Sequence, residues 1–242
     1  AGDVNETGSR SARNALLQYG KEKSRAGKVK DLYILADNLY KVLSVGGQRL
    51  IIPTLKSIAM LLKHGVFDTI DPSKTEFFTN MFDYVKKLIQ RTRKPMRLLA
   101  GLEVLLGFLN YDKPICTQAV VCILSMIGHP YPIVRARSSQ ELYTATLTYE
   151  DVIMPDDEEK GDEAITLLVE TSWAELDHES AVEIRDQLYG LLEIEKDTTM
   201  SFDLAQRNAT QKFKDEEKKD TGYQSLVNEM HGGLWGWERD VK

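Results

Sequence analysis

The chain has 242 residues, 42% of them hydrophobic and 28% charged, with a formal net charge of -6. This is enough chain to bury a sizeable core, and the balance is that of a water-soluble globular or repeat protein. An acidic total leaves no overall basic footprint for nucleic acid, and no apolar run approaches the roughly 18–20 residues of a membrane span.

The first residues, AGDVNETGSRSARN, have neither a charged start nor an apolar core, so no secretory signal is expected. They also lack an initiator Met, and the sequence reads as a piece of a longer chain. Cys116 and Cys122 fall on one predicted helix. Six residues apart they point roughly 240° from each other, so no bridge between them is expected. A reducing, cytoplasmic setting follows from that usage.

Helical periodicity then runs almost without interruption. Apolar residues recur at Ala12, Leu16 and Tyr19, at Leu32, Leu35, Leu39 and Val42, and at Ile51, Leu55, Ile58 and Leu62. They continue at Phe78, Met81, Val85 and Leu88, at Leu98, Leu102, Leu105 and Leu109, and at Ile115, Ala119, Cys122 and Met126. Val134, Ser138, Leu142 and Ala145 follow, then Ile165 and Leu168, then Ala181, Ile184, Leu188 and Leu191. Each set has the i, i+3/i+4, i+7 spacing of a one-sided helix, and no alternating strand pattern occurs. The seven prolines all fall in loops or first helical turns. Gly46-Gly47, Gly65 and Gly128 follow predicted helices, as C-terminal caps do.

The helices group in pairs. The second members start near Ser9, Leu50, Pro95, Pro132 and Glu179, at intervals of about 37 to 47 residues. That is the HEAT and armadillo period, in which neighbouring pairs must stack to hide their apolar faces. The stretch HPYPIVRARSSQEL fits it closely. Pro132 fixes a first turn, and Val134, Arg135, Ser138, Ser139 and Leu142 match the HEAT second-helix pattern. Small residues let paired helices approach, and Arg135 is expected to ladder to acids of neighbouring repeats rather than to touch a partner. The fold class is therefore all-α: a HEAT/armadillo-like helical-repeat solenoid over residues 1–192, with a C-terminal extension over 193–242. EDVIMPDDEEKGDE, with eight acids against one Lys, is expected to be a solvated loop.

Little in the sequence argues for chemistry. His64, His129, His178 and His231 are scattered, with no His or Cys at metal-ligand spacing. No phosphate-cradling glycine loop and no Gly-x-Ser-x-Gly elbow is found. The expectation is a protein that is not an enzyme and needs no cofactor or metal.

Two stretches are candidates for partner contact. KKLIQRTRKPMR holds Lys86, Lys87, Arg91, Arg93, Lys94 and Arg97 and no acid. It spans one intra-repeat turn. It is either a solvated turn or a surface that steers an acidic partner. Nucleic acid fits it less well, because no aromatic residues interleave to stack bases. In the extension, Tyr223, Leu226, Met230, Leu234, Trp235 and Trp237 gather within fifteen residues of polar sequence. They are expected to dock as a unit, as a cap on the last repeat or in a partner groove.

The text from His129 through ITLLVETSWAELD and EIRDQLYGLL resembles the C-terminal region of the tubulin-folding cofactor D family. The residues that carry it are His129 to Pro132, Val134, Arg135, Tyr143, Leu147 to Tyr149, Leu167, Leu168, Thr171, Trp173, Arg185, Leu188, Leu191 and Leu192. Upstream, IIPTLKSIAMLLKHGVFD at Ile51–Asp68 echoes the same family, so the resemblance covers about residues 9 to 192. It implies a cytoplasmic, cytoskeletal chaperone scaffold with no catalytic residue in this region. The implied partners are β-tubulin, tubulin cofactors C and E and a small Arf-like GTPase. With them the family assembles or dismantles the αβ-tubulin heterodimer and stimulates GTP hydrolysis by tubulin. No membrane and no nucleic-acid partner is expected. A different helical-repeat adaptor, in transport or in a nucleic-acid complex, is the alternative.

Overall fold

The computed structural model describes residues 2–71 and 75–197. Every regular element there is a helix: α1 Gly2–Arg25, α2 Val29–Val45, α3 Ile51–Lys63, α4 Phe77–Arg91, α5 Pro95–Phe108, α6 Ile115–Ile127, α7 Pro132–Thr146, α8 Glu150–Ile153, α9 Glu158–Glu170 and α10 His178–Leu191. The described helices all fall within one compact unit. Tyr223, Leu226, Met230, Leu234, Trp235 and Trp237 lie outside the described residues, as does Pro72.

The helices form two layers. α2, α4, α6 and α10 pack side by side in one, and α1, α3, α5, α7 and α9 in the other. From α2 to α7 first-layer and second-layer helices alternate, as the periodicity predicts. The last pair departs from that order. Here α9 packs on α7, and α10 packs on α6. The helix starting at His178 is thus a first-layer helix, although its spacing reads as a second-layer one. The one-turn α8 packs on both α6 and α7 and returns the chain along α7's own layer. Tyr189 anchors α10 there, its hydroxyl bonding the Val121 carbonyl at 2.9 Å and the Ser125 hydroxyl at 2.9 Å.

The acidic segment is also not simply a loop. Glu150–Ile153 is helical and Glu158 begins α9. Asp157 caps α9, its Oδ1 accepting from the amides of Glu159 at 3.1 Å and Lys160 at 3.4 Å. Carboxylates in a first turn face the positive end of the helix dipole, so this charge favours the helix it was expected to prevent.

Burial follows the repeat. Ile51, Leu55, Ile58 and Leu62, then Leu98, Leu102, Leu105 and Leu109, are all buried, as are Val134, Ser138, Leu142 and Ala145. α6 is covered on nearly every side, and everything from Cys122 to Ile127 is buried. Cys116 and Cys122 are free and buried in it, and burial pushes the Cys122 thiol up to about 12. The first two helices keep their apolar pattern less strictly. Ala12 and Tyr19 are exposed while Gly20 is buried, and α2 buries Leu32, Ala36 and Leu43 but leaves Val42 exposed. They stand at the end of the described stack, where fewer neighbours cover them.

Close approach depends on glycine where α3 meets α5. A Cβ on Gly107 would lie 2.7 Å from the Leu62 Cβ. Gly65, at φ +64°, ends α3 in a Schellman turn, with the Val66 amide on the Leu61 carbonyl at 3.1 Å. Gly46 and Gly128 also cap helices, but at φ -66° and -85°, so neither position uses the left-handed region.

Candidate functional site

The intra-repeat turns line up along one edge. Arg97 donates to the Gln48 carbonyl at 3.3 Å, tying the α4–α5 turn region to the α2–α3 turn. The Tyr131 hydroxyl donates to the Arg93 carbonyl at 2.9 Å, tying the α6–α7 turn to the α4–α5 turn.

Arg135 extends this edge to the α9–α10 loop. Its side chain is 1% exposed. Nε donates to the Trp173 carbonyl at 3.0 Å and one terminal nitrogen to the Leu176 carbonyl at 2.6 Å. The other donates to the His129 and Pro130 carbonyls, both at 3.0 Å. The expected ladder to acids of neighbouring repeats is therefore not formed. The α9–α10 loop and the α6–α7 turn each offer two carbonyls at that depth, and the guanidinium spreads its donors across all four. Burial lowers the Arg135 pKa, and Asp177 works against that shift. Its reading as a structural rather than a partner-binding residue agrees with this geometry.

The basic cluster occupies the α4–α5 part of the edge. Lys87, Arg91, Arg93 and Lys94 are exposed and Arg97 is half-buried. Lys86 turns away from the group and pairs with Asp197 at 2.6 Å. Asp197 lies in the segment that leaves α10, where Lys196 also pairs with Asp186 at 2.8 Å. Lys87, Arg91, Arg93 and Lys94 carry the exposed charge of this turn.

A second surface was not legible in the sequence. The face of the second layer turned away from the first holds a groove of about 530 Å³ that crosses α1, α3, α5 and α7. Arg10, Arg13, Lys56, Lys63 and Arg137 line it, against the carboxylates Glu103 and Glu141. Five cations face two carboxylates here, the reverse of the chain's acidic total. Arg137 and Glu141 pair at 2.6 Å. Glu103 stands at the middle of the groove. Solvent reaches it, yet the walls desolvate it enough to raise its carboxyl above the ordinary range. Lys56, Arg137 and Arg13 oppose that rise and Glu141 adds to it, which shows that charges from α1, α3, α5 and α7 converge on one point. At the α3 end, desolvation and the charges of Lys21 and Lys63 lower the His64 pKa.

His129 is a buried part of the turn edge. Its Nδ1 accepts the Tyr131 amide at 3.1 Å. Burial depresses its pKa to about 3, with His178 and Arg135 adding to the effect. Among the described residues no three His, Cys, Asp or Glu side chains gather where a metal ion could be held. No helix among them is long and apolar enough to cross a membrane.

No solved structure matches the chain. A family model does match, over residues 1–97, and ends before the His129–Leu192 part of the resemblance. Those 97 residues comprise α1 to α4 and the first turn of α5, and they include the Ile51–Asp68 text that echoes the same family. Over residues 1–97 the chain is similar to the family described as tubulin folding cofactor D C terminal.

Proposed function

We propose that this chain is a scaffold of the tubulin-folding machinery, a stack of helix pairs that holds tubulin and performs no chemistry of its own. The family match over residues 1–97 carries this reading. The fold supports it physically. Stacked helix pairs present a broad, semi-rigid face that grips a folded protein without a catalytic centre. In the fuller reading, residues 1–192 are that scaffold. β-Tubulin, cofactors C and E and a small Arf-like GTPase are its partners in the cytoplasm, and the αβ-tubulin heterodimer is what they assemble or dismantle. Tyr223, Leu226, Met230, Trp235 and Trp237 of the extension are proposed to dock as one unit.

The experiment is a pull-down with the chain as bait. Recovery of tubulin together with a small Arf-like GTPase supports the reading. Recovery of RNA, or of transport factors without tubulin, overturns it in favour of another helical-repeat adaptor.

A further inference from the structure

We propose that the groove across α1, α3, α5 and α7 is a docking site for an extended acidic peptide segment. This deepens the scaffold reading by giving the chemistry of what is held, and its test does not require tubulin.

Three observations carry it. Charge comes first. Arg10, Arg13, Lys56, Lys63 and Arg137 converge on a groove with only Glu103 and Glu141 to offset them, in a chain whose total is -6. A concave basic surface on an acidic protein selects partners of opposite sign and raises their encounter rate. Shape comes second. Four helices at the usual 8–10 Å spacing make a trough roughly 25–30 Å long, which about eight extended residues span. Polar lining comes third. Asn14, Asn110, Thr144 and Thr148 stand along the walls and can bond a peptide backbone, which satisfies the groups an extended chain brings with it.

A single-stranded nucleic acid fits the groove less well. Tyr149 and His64 are the aromatic rings among the described residues lining it, too few to give successive bases a stacking platform. Glu103 and Glu141 would face an unbroken row of phosphates. A peptide can place a neutral or donating residue opposite each of them.

The groove and the α4–α5 turn are separate basic surfaces, so variants distinguish them. The probe is a fluorescein-labelled peptide of about ten residues in which glutamate alternates with glutamine, long enough to span the trough and able to set a neutral side chain opposite Glu103 and Glu141. Anisotropy is read against increasing concentrations of the chain. Saturable binding is expected, weakening with salt. Arg13→Ala, Lys56→Ala and Arg137→Ala combined should weaken it at least ~10-fold. None of these three side chains is buried, so the variant is expected to fold, and circular dichroism checks that it has. Arg13→Lys, Lys56→Arg and Arg137→Lys combined keep the charge and should bind within ~3-fold of the parent. Lys87→Ala, Arg91→Ala and Lys94→Ala combined, on the turn edge, should change binding less than ~2-fold. The proposal is overturned if no saturable binding occurs. Equal loss in the turn-edge variant, or no loss in the groove alanine variant, overturns it too. Tighter binding of a single-stranded RNA of the same length, released by the groove substitutions, would assign the groove to nucleic acid instead.

Discussion

Arg135 and Trp173 are 38 positions apart, yet the Nε of one donates to the backbone carbonyl of the other at 3.0 Å inside the protein. This bond fastens α7 to the loop between the last two helices. Three further carbonyls, of His129, Pro130 and Leu176, complete the guanidinium's shell.

Replacing Arg135 by Lys keeps the charge but loses the planar fork. An ammonium cannot reach four carbonyls spread around a guanidinium, so several stay buried without donors. Hydrogen bonds to charged groups contribute roughly 1.5–3 kcal/mol each. The Arg135→Lys variant should therefore lose at least about 2 kcal/mol in urea unfolding. A loss under ~0.5 kcal/mol would show that the cage is not structural.

His129 makes stability depend on pH. Its folded pKa, about 3, lies below the ordinary 6.5, so between those values the unfolded chain binds the proton and the folded chain does not. Its contribution is complete above pH ~6.5 and is lost as pH falls towards ~3. At pH 5 the shortfall is on the order of 2 kcal/mol. His129→Asn keeps an acceptor for the Tyr131 amide and removes the titration. Urea midpoints measured from pH 7 to pH 5 should fall more steeply for the parent than for this variant. Parallel slopes would assign the acid sensitivity elsewhere.

Two glycines should respond oppositely to alanine. At Gly107 the added Cβ meets the Leu62 Cβ at 2.7 Å, so α3 and α5 must separate. Overpacking of this kind costs ~1–3 kcal/mol, more than the ~1 kcal/mol gained in helix propensity. Gly190 is exposed within α10 and a Cβ there meets nothing within 4 Å. Gly190→Ala should raise stability by about 0.5–1 kcal/mol. Thermal melts of both variants check the pair, and a shift of the same sign in both would contradict the packing described for α3 and α5.

Ser138 gives a milder case. Its hydroxyl is buried and has no hydrogen-bond partner among the described residues. The small volume is what the α6–α7 contact needs, not the oxygen. Ser138→Ala should stabilise by about 1 kcal/mol, whereas Ser138→Leu should destabilise through overpacking. A destabilised alanine variant would mean that the hydroxyl has a partner.

How much of this was legible depends on where each residue sits. The faces of α3, α5 and α7 were readable because neighbours on both sides bury a full stripe of each. In α1 and α2 the apolar spacing is a residue or so out of register with the buried face, since at the end of a stack a stripe is only partly covered and Tyr19 and Val42 can stay exposed. The interchange of α9 and α10 between layers was hidden, because spacing reports how often helices recur and not which layer receives them. Arg135 was recognised by its motif, but its partners are backbone carbonyls, which leave no mark in the side-chain sequence. The groove was invisible for a related reason. Arg13, Lys56 and Arg137 come from three helices, and no window along the chain contains two of them. The basic turn was visible because its charges are consecutive.

The function proposed for this helical stack is that it holds tubulin. Its most direct test is sedimentation velocity of the purified chain with purified αβ-tubulin, at low and at moderate salt. The account predicts a complex with a dissociation constant in the micromolar range or tighter, weakened by salt. Independent sedimentation of the two proteins at every concentration and salt level would contradict it.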